Sequence, residues 1–81
     1  MNEGDSIMNE IYILTYKNVT TGTIMQTAFA SKKAMKEYAE NEANEIDATC
    51  IWFEPYQDGY YSNDKLGIYI ELSYECIEFI R

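Results

Sequence analysis

The chain has 81 residues, 47% hydrophobic and 25% charged, which is enough for one hydrophobic core and too apolar for a disordered segment. Fourteen Asp or Glu against six Lys or Arg give a net charge of −8, which repels nucleic-acid phosphates and anionic lipid and favours basic partners. With no histidine and only two cysteines, composition excludes a Ser-His-Asp triad, a Cys-His pair, an imidazole-liganded metal and a closed zinc site.

Residues 1–9 carry Glu3, Gly4, Asp5 and Ser6 without periodicity and read as a flexible leader ahead of a single α+β domain over 10–81. The leader has no basic start or hydrophobic signal core. The longest apolar run of the N-terminal half, Ile11 to Leu14, is far too short for a membrane span. A cytoplasmic protein without membrane contact is expected. Glu10 to Lys17 and Thr23 to Phe29 are β-branched and aromatic, and Asn18 to Gly22 is rich in turn formers, so these segments predict a hairpin. A five-residue loop over Asn18 to Gly22, with Gly22 at positive φ, sets Thr15 opposite Met25, Ile13 opposite Thr27 and Ile11 opposite Phe29.

Ser31 is placed to cap a helix from about Lys32 to Asn44, whose apolar residues Met35, Tyr38, Ala39, Ala43 and Ile46 follow helical spacing. Its charges oppose the macrodipole: Lys32, Lys33 and Lys36 stand in the first turns, and Glu42, Glu45 and Asp47 near the end. Packing must therefore hold this helix. Ala48 to Tyr56 reads as a third strand and Leu66 to Ile80 as a long fourth one. Between them Gln57 to Lys65 reads as a connection, because Asp58-Gly59 and Asn63-Asp64 are turn signals. The alternation Ile68, Ile70, Leu72, Tyr74 slips at Cys76 and Ile77, which predicts a bulge near Ser73 to Cys76. The expected fold is ββαββ, a mostly antiparallel sheet with one helix packed on one face.

Pairing the last two strands so that Ile51 and Phe53 share the core face with Ile70, Leu72 and Tyr74 sends Cys50, Trp52, Glu54 and Tyr56 to the open face beside Tyr69, Glu71 and Glu75. In that register Glu54 falls opposite Glu71, a destabilising like-charge pair. Ile11, Ile13, Met25 and Phe29 then face the helix. Glu10, Tyr12, Leu14, Tyr16 and Ile24 take the open side, which holds no lysine. Cys50 and Cys76 lie on different faces and are expected to be free thiols.

No phosphate loop, EF-hand or paired metal motif is present, so neither cofactor nor metal is expected, and nothing supplies the parts of an enzyme. The carboxylates form two sets. Glu37, Glu40, Glu45 and Asp47 stripe the helix and its exit, while Glu54, Glu71 and Glu75 project from strands beside Trp52, Tyr56 and Tyr69. Same-face strand neighbours lie about 7 Å apart, and a duplex offers one phosphate per ~3.4 Å on each strand, so either set can imitate a row of phosphates.

The segment Phe29-Ala30-Ser31-Lys32-Lys33-Ala34-Met35-Lys36-Glu37-Tyr38 resembles a recurrent pattern in small phage and Firmicute proteins, a hairpin followed by a Ser-Lys-Lys-Ala-x-Lys-x-Tyr helix start. The resemblance implies a hairpin and a helix on a sheet. By size and charge the chain is also similar to acidic phage inhibitors that mimic DNA. The expected function is therefore an inhibitor that binds a basic nucleic-acid-binding host protein, in the host cytoplasm, and blocks its nucleic-acid site. The alternative is a homodimeric structural or regulatory module anchored by Trp52, Tyr12, Tyr16 and Tyr69 on the open sheet face.

Overall fold

The computed structural model describes residues 8–80. The first seven residues of the expected leader lie outside the described residues, while Met8 and Asn9 already belong to a strand. In chain order the elements are β1 (Met8–Asn18), β2 (Ile24–Phe29), α1 (Lys32–Glu45), β3 (Ile51–Phe53), β4 (Asp58–Asn63) and β5 (Ile68–Ile80). The strands form one sheet in the order β2-β1-β5-β4-β3, antiparallel at every pairing. The helix lies on one face, as the sequence predicts for an α+β fold. The segment expected to be a connection, Gln57 to Lys65, supplies a fifth strand.

The helix forms where its local signals put it. The Ser31 hydroxyl accepts the Ala34 N–H at 3.1 Å, a standard N-cap bond. Met35, Ala39 and Ala43 are buried against Leu14, Tyr61, Ile70, Leu72 and Tyr74. At the other end Asp47 takes a positive φ of 57°, the Asp47 N–H reaches the Asn44 carbonyl and the Ala48 N–H the Ala43 carbonyl. Those bonds are a Schellman stop. No described helix is long and apolar enough to cross a membrane.

The hairpin register differs from expectation by one residue, because Asn18 stays in the ladder. Its backbone N–H donates to the Thr23 carbonyl at 2.8 Å, while its side-chain oxygen accepts the N–H groups of Thr20 and Thr21. The turn therefore begins at Val19, with Gly22 at positive φ as expected. The observed pairs are Leu14 with Thr27, Ile13 with Ala28 and Tyr16 with Met25. A one-residue slip exchanges the two faces of a strand, so Tyr12, Leu14 and Tyr16 point to the helix and Ile11 and Ile13 to the open side. Leu14 is 0% exposed.

β3 is inverted for a related reason. It pairs with β4, through Ile51–Tyr60, Trp52–Gly59 and Phe53–Asp58, and not with β5. Cys50 and Trp52 consequently pack against the core, and Ile51 and Phe53 stay exposed on the open side. The expected bulge is replaced by continuous pairing of β1 with β5 from Met8–Ile80 to Asn18–Ile70. Beyond the ends of β2 and β4, residues 8–11 and 77–80 run on as a two-stranded arm, and the molecule measures 56 × 21 × 20 Å.

Candidate functional site: the uncovered sheet face

Across the open face the register builds two rows. One is Ile24, Lys17, Glu71, Tyr60 and Ile51; the next is Gln26, Thr15, Ser73, Asp58 and Phe53. Tyr60 is stacked between Phe53 and Tyr69, with centroid separations of 5.8 and 5.6 Å and interplanar angles of 19° and 13°. Stacked rings on adjacent strands make a rigid apolar ladder. Lys17, Ile24, Phe53, Asp58, Tyr60 and Glu71 contribute to a shallow hollow of about 450 Å³ there. Glu75 extends the carboxylates along β5, opposite Ile13, and Ile77 and Phe79 add exposed apolar surface on the arm.

The site residues expected from the sequence are divided by this geometry. Glu71, Glu75 and Tyr69 are on the open face as expected. Tyr56, in the β3–β4 turn, is the most exposed large hydrophobic residue among the described residues, at 78%. Glu37, Glu40, Glu45 and Asp47 are exposed along the helix and its exit. Trp52 is corrected to the helix side, where it meets Tyr74 edge-on at 5.9 Å with the Lys36 ammonium 5.1 Å over its ring. Of the four proposed dimer anchors, only Tyr69 is on the open face. Tyr16 instead shares a hydroxyl contact of 3.2 Å with Tyr38, and Tyr12 packs on Tyr74. The open face also holds a lysine, Lys17, directly opposite Glu71, where none was expected.

Glu54 is likewise corrected. It is far from Glu71 and sits under the start of the helix, where Lys36 pairs with it, Lys32 approaches to 3.7 Å, and the Tyr74 hydroxyl donates at 3.0 Å to its carboxylate oxygens. Two of the lysines that oppose the macrodipole, Lys32 and Lys36, thus serve a tertiary clasp, while Lys33 approaches Glu37 to 4.0 Å. The Lys36 bond, the largest influence, together with Tyr74 and the lysine charges holds the Glu54 carboxyl below its ordinary pKa, against a desolvation effect second only to that bond. A carboxyl whose pKa is depressed by folding contributes stability above its unfolded pKa, about 4.3, and loses it as pH falls through the folded value. The carboxylate is 39% exposed, so screening limits the effect. Glu54→Gln should cost about 1 kcal/mol at pH 7, and denaturant titrations should show the difference from wild type vanishing in strong acid.

Both cysteines are free. Cys50 is half-buried beside the helix, not on the open face as expected, and burial pushes its thiol up to about 11, which leaves it protonated at neutral pH. Among the described residues, Glu10, Cys76 and Glu78 bring potential ligand atoms within 4.8 Å of one another on the arm. Glu10 faces Glu78 directly across the strands, and the Tyr12 hydroxyl donates to Glu10 at 3.2 Å. Hydrogen bonding to Cys76 first, then burial and Glu10, raise Tyr12 to about 12, so that hydroxyl stays a donor.

Sequence reasoning missed Asp58, Tyr60, Phe53 and Lys17. The alternation of Asp58, Tyr60 and Ser62 with Gly59, Tyr61 and Asn63 was the available signal, overridden by the turn-forming composition. No family model matches the chain, and no curated protein or solved structure is detectably similar to it.

Proposed function

We propose that the chain is a non-catalytic binding protein that docks on a basic, nucleic-acid-binding partner and covers the surface the partner uses for phosphates. The observation that carries this reading is the uncovered sheet face, where Asp58 and Glu71 flank the Phe53–Tyr60–Tyr69 ladder and Glu75 continues the carboxylates along β5. Strands hold those carboxylates at fixed spacing, as a phosphate mimic requires. The rings supply contact area and flat faces on which arginine and lysine stack. The helix itself carries no exposed aromatic side chain, and its stripe contributes long-range attraction only. Phe53 and Tyr69 are 47% and 42% exposed, and contiguous exposed apolar side chains rimmed by polar ones mark interaction surfaces.

The test is a low-salt capture from bacterial lysate followed by competition against a labelled duplex for each captured protein. The triple variant Asp58→Asn, Glu71→Gln, Glu75→Gln should bind at least about tenfold more weakly, each desolvated charge pair being worth a kcal/mol or more. Neutralising Glu37, Glu40, Glu45 and Asp47 should change mainly the association rate and its salt dependence. Recovery of no nucleic-acid-binding protein, or equal losses from both sets, would overturn the reading.

A further inference from the structure

Among the described residues, the longer free edges of this sheet are guarded except along β2. β3 is three residues long and is followed by Glu54 and Pro55. The free edge of the arm in β1 carries Glu10, and the free edge of β5 past Ser73 carries Glu75 and Glu78. Short length, proline and charge are the usual means by which a sheet refuses another strand. β2 has none of them. Its six residues, Ile-Met-Gln-Thr-Ala-Phe, contain no charge, proline or glycine, and Ile24 and Met25 are 60% and 54% exposed.

The backbone of β2 is equally open. Because the Asn18 N–H points onto the Thr23 carbonyl, the antiparallel alternation turns the N–H and C=O groups of Met25, Thr27 and Phe29 towards β1. Those of Ile24, Gln26 and Ala28 therefore point outwards, along the free edge of the sheet. Outward groups at alternate residues form a template onto which a partner strand can add. We propose that this partner is β2 of a second copy, antiparallel about a two-fold axis at Gln26. In that register Gln26 pairs with its own copy and Ile24 with Ala28 of the second chain, so every outward group finds a complement. Such a contact is isologous and closed. It also suits a molecule of charge −8, because the edge is uncharged and Lys17 lies beside Ile24. The contact touches the open face only at its margin, through Ile24 and Gln26, and leaves the Phe53–Tyr60–Tyr69 ladder uncovered on both copies.

Strand addition over so short an edge buries less than about 1,200 Å², which places the dissociation constant in the micromolar range. Sedimentation equilibrium of the full chain should show the mass rising from 9.4 kDa towards twice that value across micromolar concentrations. Gln26→Pro removes an outward N–H that the monomer does not use, a position where edge strands accept proline. It should lower the thermal midpoint measured at low concentration only by the small amount due to the exposed Gln26 Nε2–Thr15 Oγ1 bond it also loses, and weaken association by at least about tenfold. If that chain fails to fold, Gln26→Lys places like charges opposite each other at the axis and should have the same effect. Gln26→Cys should oxidise to a covalent dimer, because directly paired residues bring their Cα atoms to about 5.5 Å. Thr20→Cys, in the exposed turn, should not. A wild type of 9.4 kDa at every concentration, a folded Gln26 variant that still dimerises, or equal cross-linking at Thr20 and Gln26 would each overturn the proposal. The first result would leave the edge to a strand of a different protein.

Discussion

Gly59→Ala is expected to lower stability by roughly 3 kcal/mol or more, at the upper end for an overpacked site. A β-carbon at Gly59 would lie 2.3 Å from the Ile51 carbonyl oxygen, 3.1 Å from Trp52 Cε3 and 3.2 Å from Trp52 Cα. The nearest of these is backbone in a directly paired strand, so no rotamer change relieves the clash. β3 must move as a whole, which pulls Trp52 off Tyr74 and withdraws Phe53 from the ring ladder. The single tryptophan makes the result simple to read: Trp52 emission should shift towards that of an exposed indole, with a lower denaturation midpoint. Gly22→Ala and Gly67→Ala are the controls. Nothing lies within 4 Å of a β-carbon at either position, and only the positive φ is strained, at a cost of about 1 kcal/mol. A Gly59→Ala chain as stable as those controls would show that β3 does not pair with β4 at this register.

The need for glycine at position 59 is tertiary, and this is why the surrounding strand was not legible in the sequence. Locally, Asp58-Gly59 carries the signature of a turn. The reason for the glycine, an adjacent strand and an indole lying over it, appears only when Trp52 is already in place. The helix was legible for the opposite reason, since the Ser31 cap and the spacing of Met35, Ala39 and Ala43 are both local signals. β5 was legible through Ile70, Leu72 and Tyr74, whose alternation persists whichever strands flank it. Glu71, Glu75 and Tyr69 were placed correctly by the same parity. Glu54 and Trp52 were not, because their side depends on which strand β3 joins, and an inserted β4 changes that parity. Asn18 shows how small the deciding contact can be. Its side-chain bonds to Thr20 and Thr21 let its backbone remain in β1, and the face of every later pair in the hairpin follows.

The assignment of faces is decided by the pair Leu14 and Ile13, and with it the surface available to a partner. Leu14 is enclosed, with Thr27 on one side and Tyr74 on the other, and it supports the helix through Met35, Ala39 and Ala43. Leu14→Ala should cost about 3 kcal/mol, the transfer energy of the lost carbons plus the cavity they leave. In an 81-residue domain that is a large share of the whole stability, ordinarily about 5–15 kcal/mol. Ile13 lies on the uncovered face between Ala28 and Glu75, and Ile13→Thr, which keeps the β-branch, should cost less than about 1 kcal/mol. Urea titrations of the two variants give the order directly. The opposite order would put Tyr12 and Tyr16 on the open face and Ile11 and Ile13 in the core. The docking surface would then include the tyrosines of β1, and neutralising Asp58, Glu71 and Glu75 would have to be repeated against Tyr12→Ala and Tyr16→Ala before any binding loss could be ascribed to charge. With the predicted order, Tyr12 and Tyr16 are spent on the core, and the open face offers a partner the Phe53–Tyr60–Tyr69 ladder, the carboxylates around it and the apolar arm.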